Sequence, residues 1–216
     1  MVKLAIFDLD GTVLFTLGDL LGAMNYAMRS VGAKEITIEQ ASAYIGNGIR
    51  KFTSRALGTT DDDERVDCCV AAFKEYYGAH LADRTVPYDG IVEMLQKLRE
   101  AGIKTAVLSN KYNEATVFLI KRFFPGLIDA AYGECEKAPR KPSPTGVMLI
   151  CSELGVSAEE TVFIGDSPVD FKTAQNAKTS HIGVSWGYRS VAQLTDAGVE
   201  NIAYSADELY EKIIRC

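Results

Sequence analysis

Three short apolar runs constrain this chain more than any other feature: residues 4–7 (LAIF), 105–108 (TAVL) and 162–164 (VFI). The first stops at Asp8, the second at Ser109 and the third at Gly165-Asp166. A segment that is apolar at every position is buried on both faces, which is the condition of a strand inside a parallel sheet. Between the runs lie stretches with helical spacing. Ile91, Met94, Leu95 and Leu98 share one face until Gly102, and residues 147–154 stop at Gly155. Strand and helix therefore alternate, and the expected fold class is α/β: a doubly wound, Rossmann-like parallel sheet with helices on both sides. In such a sheet ligands bind beyond the carboxyl ends of the strands, where Asp8, Ser109 and Asp166 all fall.

Residues 16–84 break the alternation, because amphipathic helical patterns follow one another there with no convincing strand between them. Thr37 with Gln40 has the spacing of a capping box, Gly46 and Gly48 mark a break, and residues 62–81 read as one long helix. Pro87 and Gly90 punctuate the return to the main pattern. The expected organisation is a core domain of residues 1–15 plus 86–216 and a helical cap domain of residues 16–85, joined by hinge strands around Phe15 and Val86. No internal repeat or low-complexity tract is present.

The net charge of -6 and pI near 5.1 argue against attraction to nucleic acid or to an anionic membrane surface, since both demand clustered Lys and Arg. Any phosphate must be met locally. The five cysteines, Cys68, Cys69, Cys135, Cys151 and Cys216, are scattered and lack the spacing of a zinc or redox site, which suits a reducing compartment. The opening VKLAIFDLDGT has neither the cleavage site of a signal peptide nor the length of a membrane span, so a cytoplasmic protein is expected.

Four polar clusters sit at strand ends or just before a helix. Asp8-Leu9-Asp10-Gly11-Thr12 places two carboxylates on one side of an extended segment, with Gly11 free to turn the backbone. One carboxylate can attack while the other moves protons; the same residues also make an ordinary Asp-Gly turn. Asp166 and Asp170 leave another strand end as a helix begins, either as hard oxygen ligands or as a cap and a solvated face. If Asp8, Asp10, Asp166 and Asp170 converge, each pair at 4 Å repels by about 4 kcal/mol at an effective dielectric of about 20, and a divalent cation would remove that cost. Oxygen-only ligation favours magnesium or calcium over zinc. Ser109 and Asn110 offer a hydroxyl and an amide to phosphate oxygens, and Lys141 sits in a stretch stiffened by Pro142 and Pro144.

In this order DLDGT, LSN, KPSP and GDSPVD resemble the four motifs of the haloacid dehalogenase superfamily, over residues 4–177, with the helical insert similar to that family's cap. The resemblance implies that Asp8 is the nucleophile, Asp10 the general acid and base, and Lys141 the charge stabiliser. It implies further that Thr12, Ser109 and Asn110 contact the phosphorylated substrate. Asp8, the Asp10 backbone carbonyl, Asp166 and Asp170 would hold Mg2+. The dehalogenases of the superfamily lack the second carboxylate, so Asp10 points to a phosphatase acting through an aspartyl phosphate.

The cap segment YIGNGIRKF, the late segment GVSWGYRS and the helix LGDLLGAMNYAM resemble phosphoglycolate phosphatases. On that reading Asn47 and Gly48 present backbone amides to an anion and Arg50 grips a carboxylate; on the other, the glycines end a helix and Arg50 is a surface charge. Trp186 and Tyr188 either line the entrance or pack in a loop. Phe15 stands where these phosphatases usually carry an acidic residue. The expected partner is a small phosphorylated metabolite, 2-phosphoglycolate first, bound by a monomer or homodimer. Pyrophosphatase, sugar-phosphate or nucleotide phosphatase, phosphoglucomutase and a catalytically silent phosphate-binding module stay open beside it. Against a mutase, neither His80 nor His181 falls in a loop suited to a cap base: His181 reads as a strand residue and His80 as a polar position on the long helix.

Overall fold

All four residues of β1 (Leu4–Phe7) are buried, and the strand has a parallel neighbour on each side. The structure is a computed structural model describing residues 1–216. From β1 the chain passes through β2 (Leu14–Phe15) into four helices, α1 (Leu17–Ser30), α2 (Ile38–Tyr44), α3 (Gly48–Leu57) and α4 (Glu64–Ala79). It leaves them through β3 (Val86–Pro87), which pairs with β2. Alternation then sets in with α5 (Ile91–Glu100), β4 (Lys104–Tyr112), α6 (Asn113–Phe123), β5 (Ala130–Glu134) and α7 (Thr145–Leu154). It continues with β6 (Thr161–Gly165), α8 (Pro168–Ala177), β7 (Ser180–Val184), α9 (Val191–Asp196), β8 (Ile202–Ala203) and α10 (Ala206–Arg215).

The six-stranded sheet has the order β5-β4-β1-β6-β7-β8, every pair parallel. The chain builds outward from β1 through β4 and β5, then crosses to the other side of β1 with β6. That reversal is a topological switch point, where loops from neighbouring strands diverge and leave a crevice. The register sets Phe7 beside both Val107 and Ile164, so β1 ends one residue before β6 does, while β4 runs on past it.

The apolar runs form β1, β4 and β6 as expected, since Leu4, Ile6, Leu108 and Phe163 join one buried cluster with Val147 and Ile150 of α7. Burying each such side chain contributes about 1.5–3 kcal/mol. One strand exceeds its run: β4 continues to Tyr112, pairing with β5 across an irregularity between Leu108 and Tyr112. Ser109, Asn110 and Lys111 are buried inside it, so a criterion of continuous apolarity stops too early there.

The chain divides into two units, Met1–Leu14 with Pro87–Cys216, and Phe15–Val86. Within the second, α1 packs on α4. Leu20, Met24 and Met28 of α1 are buried, as are Cys69, Phe73 and Tyr77 of α4, at helical spacing. Thr37 and Gln40 close the expected capping box, with Thr37 N–H donating to Gln40 Oε1 at 2.9 Å and Gln40 N–H to Thr37 Oγ1 at 3.3 Å. The long helix is shorter than residues 62–81, because Asp63 caps it by accepting the Arg65 N–H at 2.9 Å, and His80 lies just past its end, stacked on Tyr76. His181 lies in β7, edge-on to Phe171. No helix is long and apolar enough to cross a membrane.

Candidate active site

Three carboxylates meet at the ends of β1 and β6: ligand atoms of Asp8, Asp166 and Asp170 all lie within 4.8 Å of one another, and all three residues are buried. Asp8 follows β1 directly and stands level with Gly165, the last residue of β6, so Asp166 comes one position beyond it. Asp170 sits one turn into α8 with no exposed surface. Its Oδ2 accepts the Ser167 N–H at 3.1 Å and the Ser167 hydroxyl at 2.6 Å, bracing the first turn of the helix. The cap and the carboxylate cluster, alternatives in the sequence, are therefore one arrangement.

Lys141 enters this cluster from the loop before α7. Its Nζ lies 2.8 Å from Asp8 Oδ1 and 2.6 Å from Asp170 Oδ1, with the side chain 3% exposed. The Leu9 N–H also donates to Asp8 Oδ1, at 2.7 Å, so both donors meet the same oxygen. One ammonium against three buried carboxylates leaves an excess of negative charge. At 4.8 Å two full charges repel by about 3.5 kcal/mol at an effective dielectric of about 20. Burial accordingly pushes the Asp8 carboxyl up to about 8, against the pull of Lys141, and with the Asp170 charge pushes Asp166 up to about 7. Burial alone would depress Lys141, but Asp170 and Asp8 outweigh it and hold the ammonium protonated. An all-oxygen, buried, over-acidic donor set fits a hard divalent cation of the Mg2+ type.

The three residues Ser109-Asn110-Lys111 brace three different parts of the site. The Ser109 hydroxyl oxygen accepts the Lys111 N–H at 3.2 Å. Asn110, expected to offer its amide to phosphate, uses that amide on the backbone of Lys141: Oδ1 accepts the Lys141 N–H at 2.7 Å and Nδ2 donates to the Lys141 carbonyl at 3.2 Å. Nothing in the sequence joins positions 31 residues apart, so this clamp is visible only in the fold. Lys111, to which the sequence reading assigns no role, pairs its Nζ with both oxygens of Asp10, at 2.9 and 3.0 Å. The signal that could have found it is a lysine continuing a buried strand, a position lysine rarely takes without a partner.

The segment after β7 braces the site from behind. The Tyr188 N–H donates to Asp166 Oδ2 at 2.7 Å, and Trp186 Nε1 donates to the Thr12 carbonyl at 3.1 Å. Gly187 is required by contact, since a Cβ there would fall 2.1 Å from the Asp166 Cβ. Gly11 turns the chain at φ +89°, and a Cβ there would lie 2.5 Å from Asp166 Oδ2. Thr12 is fully buried and its Oγ1 has no hydrogen-bond partner.

Asn47, Gly48 and Arg50 belong to the other unit. Asn47 occupies the N-cap position of α3 and Gly48 opens the helix at φ +78°. Arg50 is not a bare surface charge: its guanidinium donates to the Asp61 carbonyl and to the Asp67 carboxylate.

The family model for haloacid dehalogenase-like hydrolases matches residues 5–184. Among curated relatives, the phosphoglycolate phosphatase of Thiobacillus denitrificans is 33% identical over 96% of this chain and 93% of its own length. That of Agrobacterium fabrum is 30% identical over 98% and 94%. A crystal structure from Lactobacillus delbrueckii subsp. bulgaricus, which carries the provisional name phosphoglycolate phosphatase, is 37% identical, covers 98% of both chains and has a TM-score of 0.91. The four polar clusters, the switch-point crevice where Asp8, Lys141, Asp166 and Asp170 meet, and these likenesses agree: the chain belongs to the haloacid dehalogenase-like hydrolases and is a phosphatase similar to the phosphoglycolate phosphatases.

Proposed function

We propose that the protein hydrolyses a small phosphorylated metabolite, 2-phosphoglycolate by preference, through a phosphoryl group carried on Asp8. The observation behind this reading is the buried meeting of Asp8, Lys141, Asp166 and Asp170 at the switch point of the sheet. A carboxylate oxygen of Asp8, whose Oδ1 is held by Lys141 and the Leu9 N–H, attacks phosphorus in line. As the bond to the leaving oxygen breaks, Asp10 gives that oxygen a proton. In the second half Asp10 takes a proton from water, the water oxygen bonds to phosphorus, and the Asp8–phosphorus bond breaks to free inorganic phosphate.

Lys141 offsets negative charge beside Asp8 throughout, and Asp170 keeps its ammonium aimed there. Asn110 fixes the Lys141 backbone and, through its second amide N–H, joins Ser109 and the Thr12 hydroxyl as a phosphate donor. Asp8, the Asp10 backbone carbonyl, Asp166 and Asp170 would hold Mg2+, which when bound neutralises charge on the phosphoryl oxygens.

The named relatives favour phosphoglycolate, a substrate with a carboxylate for Arg50. Arg50 pairs with Asp67 while the side chains are 43% and 70% exposed. An exposed pair is worth about 0.2–1 kcal/mol, so Asp67 holds Arg50 only weakly. Asn47 and Gly48 at the start of α3 add helix-end amides that suit an anion. The cytoplasm suits the five unpaired cysteines. Turnover of phosphoglycolate, p-nitrophenyl phosphate, pyrophosphate, nucleotides and sugar phosphates, each with Mg2+ and with EDTA, tests the reading. Phosphoglycolate should give the highest kcat/KM, and EDTA should abolish every activity. Metal-independent turnover would remove the metal role, and a higher kcat/KM for another substrate would remove the substrate assignment.

A further inference from the structure

We infer that Lys111 is the positioning residue for the Asp10 carboxylate and governs the step that frees Asp8 from its phosphoryl group; this rests on the acid–base role proposed for Asp10. Two buried lysines hold three of the four carboxylates of the site. Lys141 takes Asp8 and Asp170, whereas Lys111 takes Asp10, meeting both of its oxygens with a side chain only 4% exposed. The fold makes this meeting possible, because β4 runs on past the level at which β1 ends and carries Lys111 alongside the turn that holds Asp10. That turn is fixed in its backbone by the bridge between Asp10 and Leu14 and by the Gly11 N–H donating to the Leu14 carbonyl. The backbone leaves two side-chain torsions of Asp10 to be set, and a cation bonded to both oxygens sets them.

The chemistry says where this matters. A nitrophenolate departs without a proton, so the first displacement with p-nitrophenyl phosphate needs no help from Asp10. Water attack needs it: the water oxygen bonds to phosphorus, its proton goes to Asp10, and the electron pair of the breaking bond returns to Asp8. A carboxylate that wanders misses that proton, and the phosphorylated enzyme accumulates.

The test is rapid mixing of full-length protein with p-nitrophenyl phosphate in Mg2+, reading nitrophenolate release and, after acid quench, phosphorylated Asp8 by mass spectrometry. Lys111→Met should release about one nitrophenolate per active site at near wild-type speed and then turn over at least tenfold more slowly, with Asp8 largely phosphorylated. Lys111→Arg, which keeps the charge but seats the carboxylate differently, should accumulate an intermediate amount. Asp10→Asn should show the same burst as Lys111→Met. If Asp10→Asn accumulates phosphorylated Asp8 and Lys111→Met does not, the inference about Lys111 is wrong while the role of Asp10 stands. If Asp10→Asn fails to accumulate it, the role of Asp10 fails and the inference with it. Wild-type behaviour of Lys111→Arg, with loss of both phases in Lys111→Met, makes Lys111 a purely structural residue and also overturns the inference.

Discussion

Removing the metal should make the stability of the site-bearing unit fall as pH rises through neutrality. In the folded chain Asp8 holds its proton up to about 8 and Asp166 up to about 7, whereas an ordinary aspartate ionises near 3.8. Both are raised, so between the ordinary and the folded values the native state binds more protons than the unfolded one. The stability this provides is present in acid and is lost as pH rises through the folded values. His181 works the other way, since burial lowers it from 6.5 to about 4, but above pH 6.5 it is mostly neutral in both states. The clean window is therefore about pH 6.5 to 8. Each protonated carboxylate gives a slope of about 1.4 kcal/mol per pH unit, which sums to a loss of about 2–3 kcal/mol across that window. For a chain of this size that is a fall in Tm of about 5–10 °C. Trp186, the single tryptophan, lies in the unit that holds the site, so its fluorescence reports the right transition. Saturating Mg2+ takes the place of the protons, and its stabilisation should grow with pH. A Tm in EDTA that stays flat or rises from pH 6.5 to 8, or a Mg2+ shift that does not grow, would refute the electrostatic account of the cluster.

Other substitutions probe single supports. Gly187→Ala drives a methyl group into Asp166, so calorimetry should record a Mg2+ affinity about 10- to 100-fold weaker and denaturant titration a loss of about 1–3 kcal/mol; wild-type affinity would show that the loop does not set Asp166. Asp170→Ala takes one of two partners from a buried lysine and the brace from α8, and urea unfolding should show a loss of about 3 kcal/mol. A change under about 0.5 kcal/mol would mean the pair is not coupled to folding. Arg50→Ala should lower kcat/KM for phosphoglycolate by about 10- to 100-fold and spare p-nitrophenyl phosphate, which has no carboxylate. An equal fall for both would remove Arg50 from specificity.

The sheet was legible because its strands are apolar on both faces and its helices are not, a contrast that depends only on local sequence. Asp8 and Asp166 were legible for the same reason, as polar residues directly after such strands. Asp170 carried a weaker signal: its place one turn into a helix fits a solvated face equally well, and only the position of Lys141 explains its full burial. The Asn110 clamp, the Tyr188 N–H on Asp166 and the Lys111–Asp10 pair join segments distant in sequence, and no spacing rule connects them. Where β4 turns polar, hydrophobic periodicity lost the strand and with it the reason Lys111 is buried. Arg50 shows the converse, since its residue type suggests a carboxylate fork but not that Asp61 and Asp67 already engage it.

The central claim is that Asp8 carries the phosphoryl group, and the stereochemistry of transfer tests it most directly. A substrate whose phosphoryl group is replaced by a thiophosphoryl group made chiral with two oxygen isotopes can be hydrolysed in water of the third isotope by the Mg2+-loaded wild-type protein. Each in-line displacement inverts phosphorus, so attack by Asp8 followed by attack of water returns the original configuration. Net retention is the expected result. Net inversion would mean one direct displacement by water, and Asp8 could then not be the nucleophile.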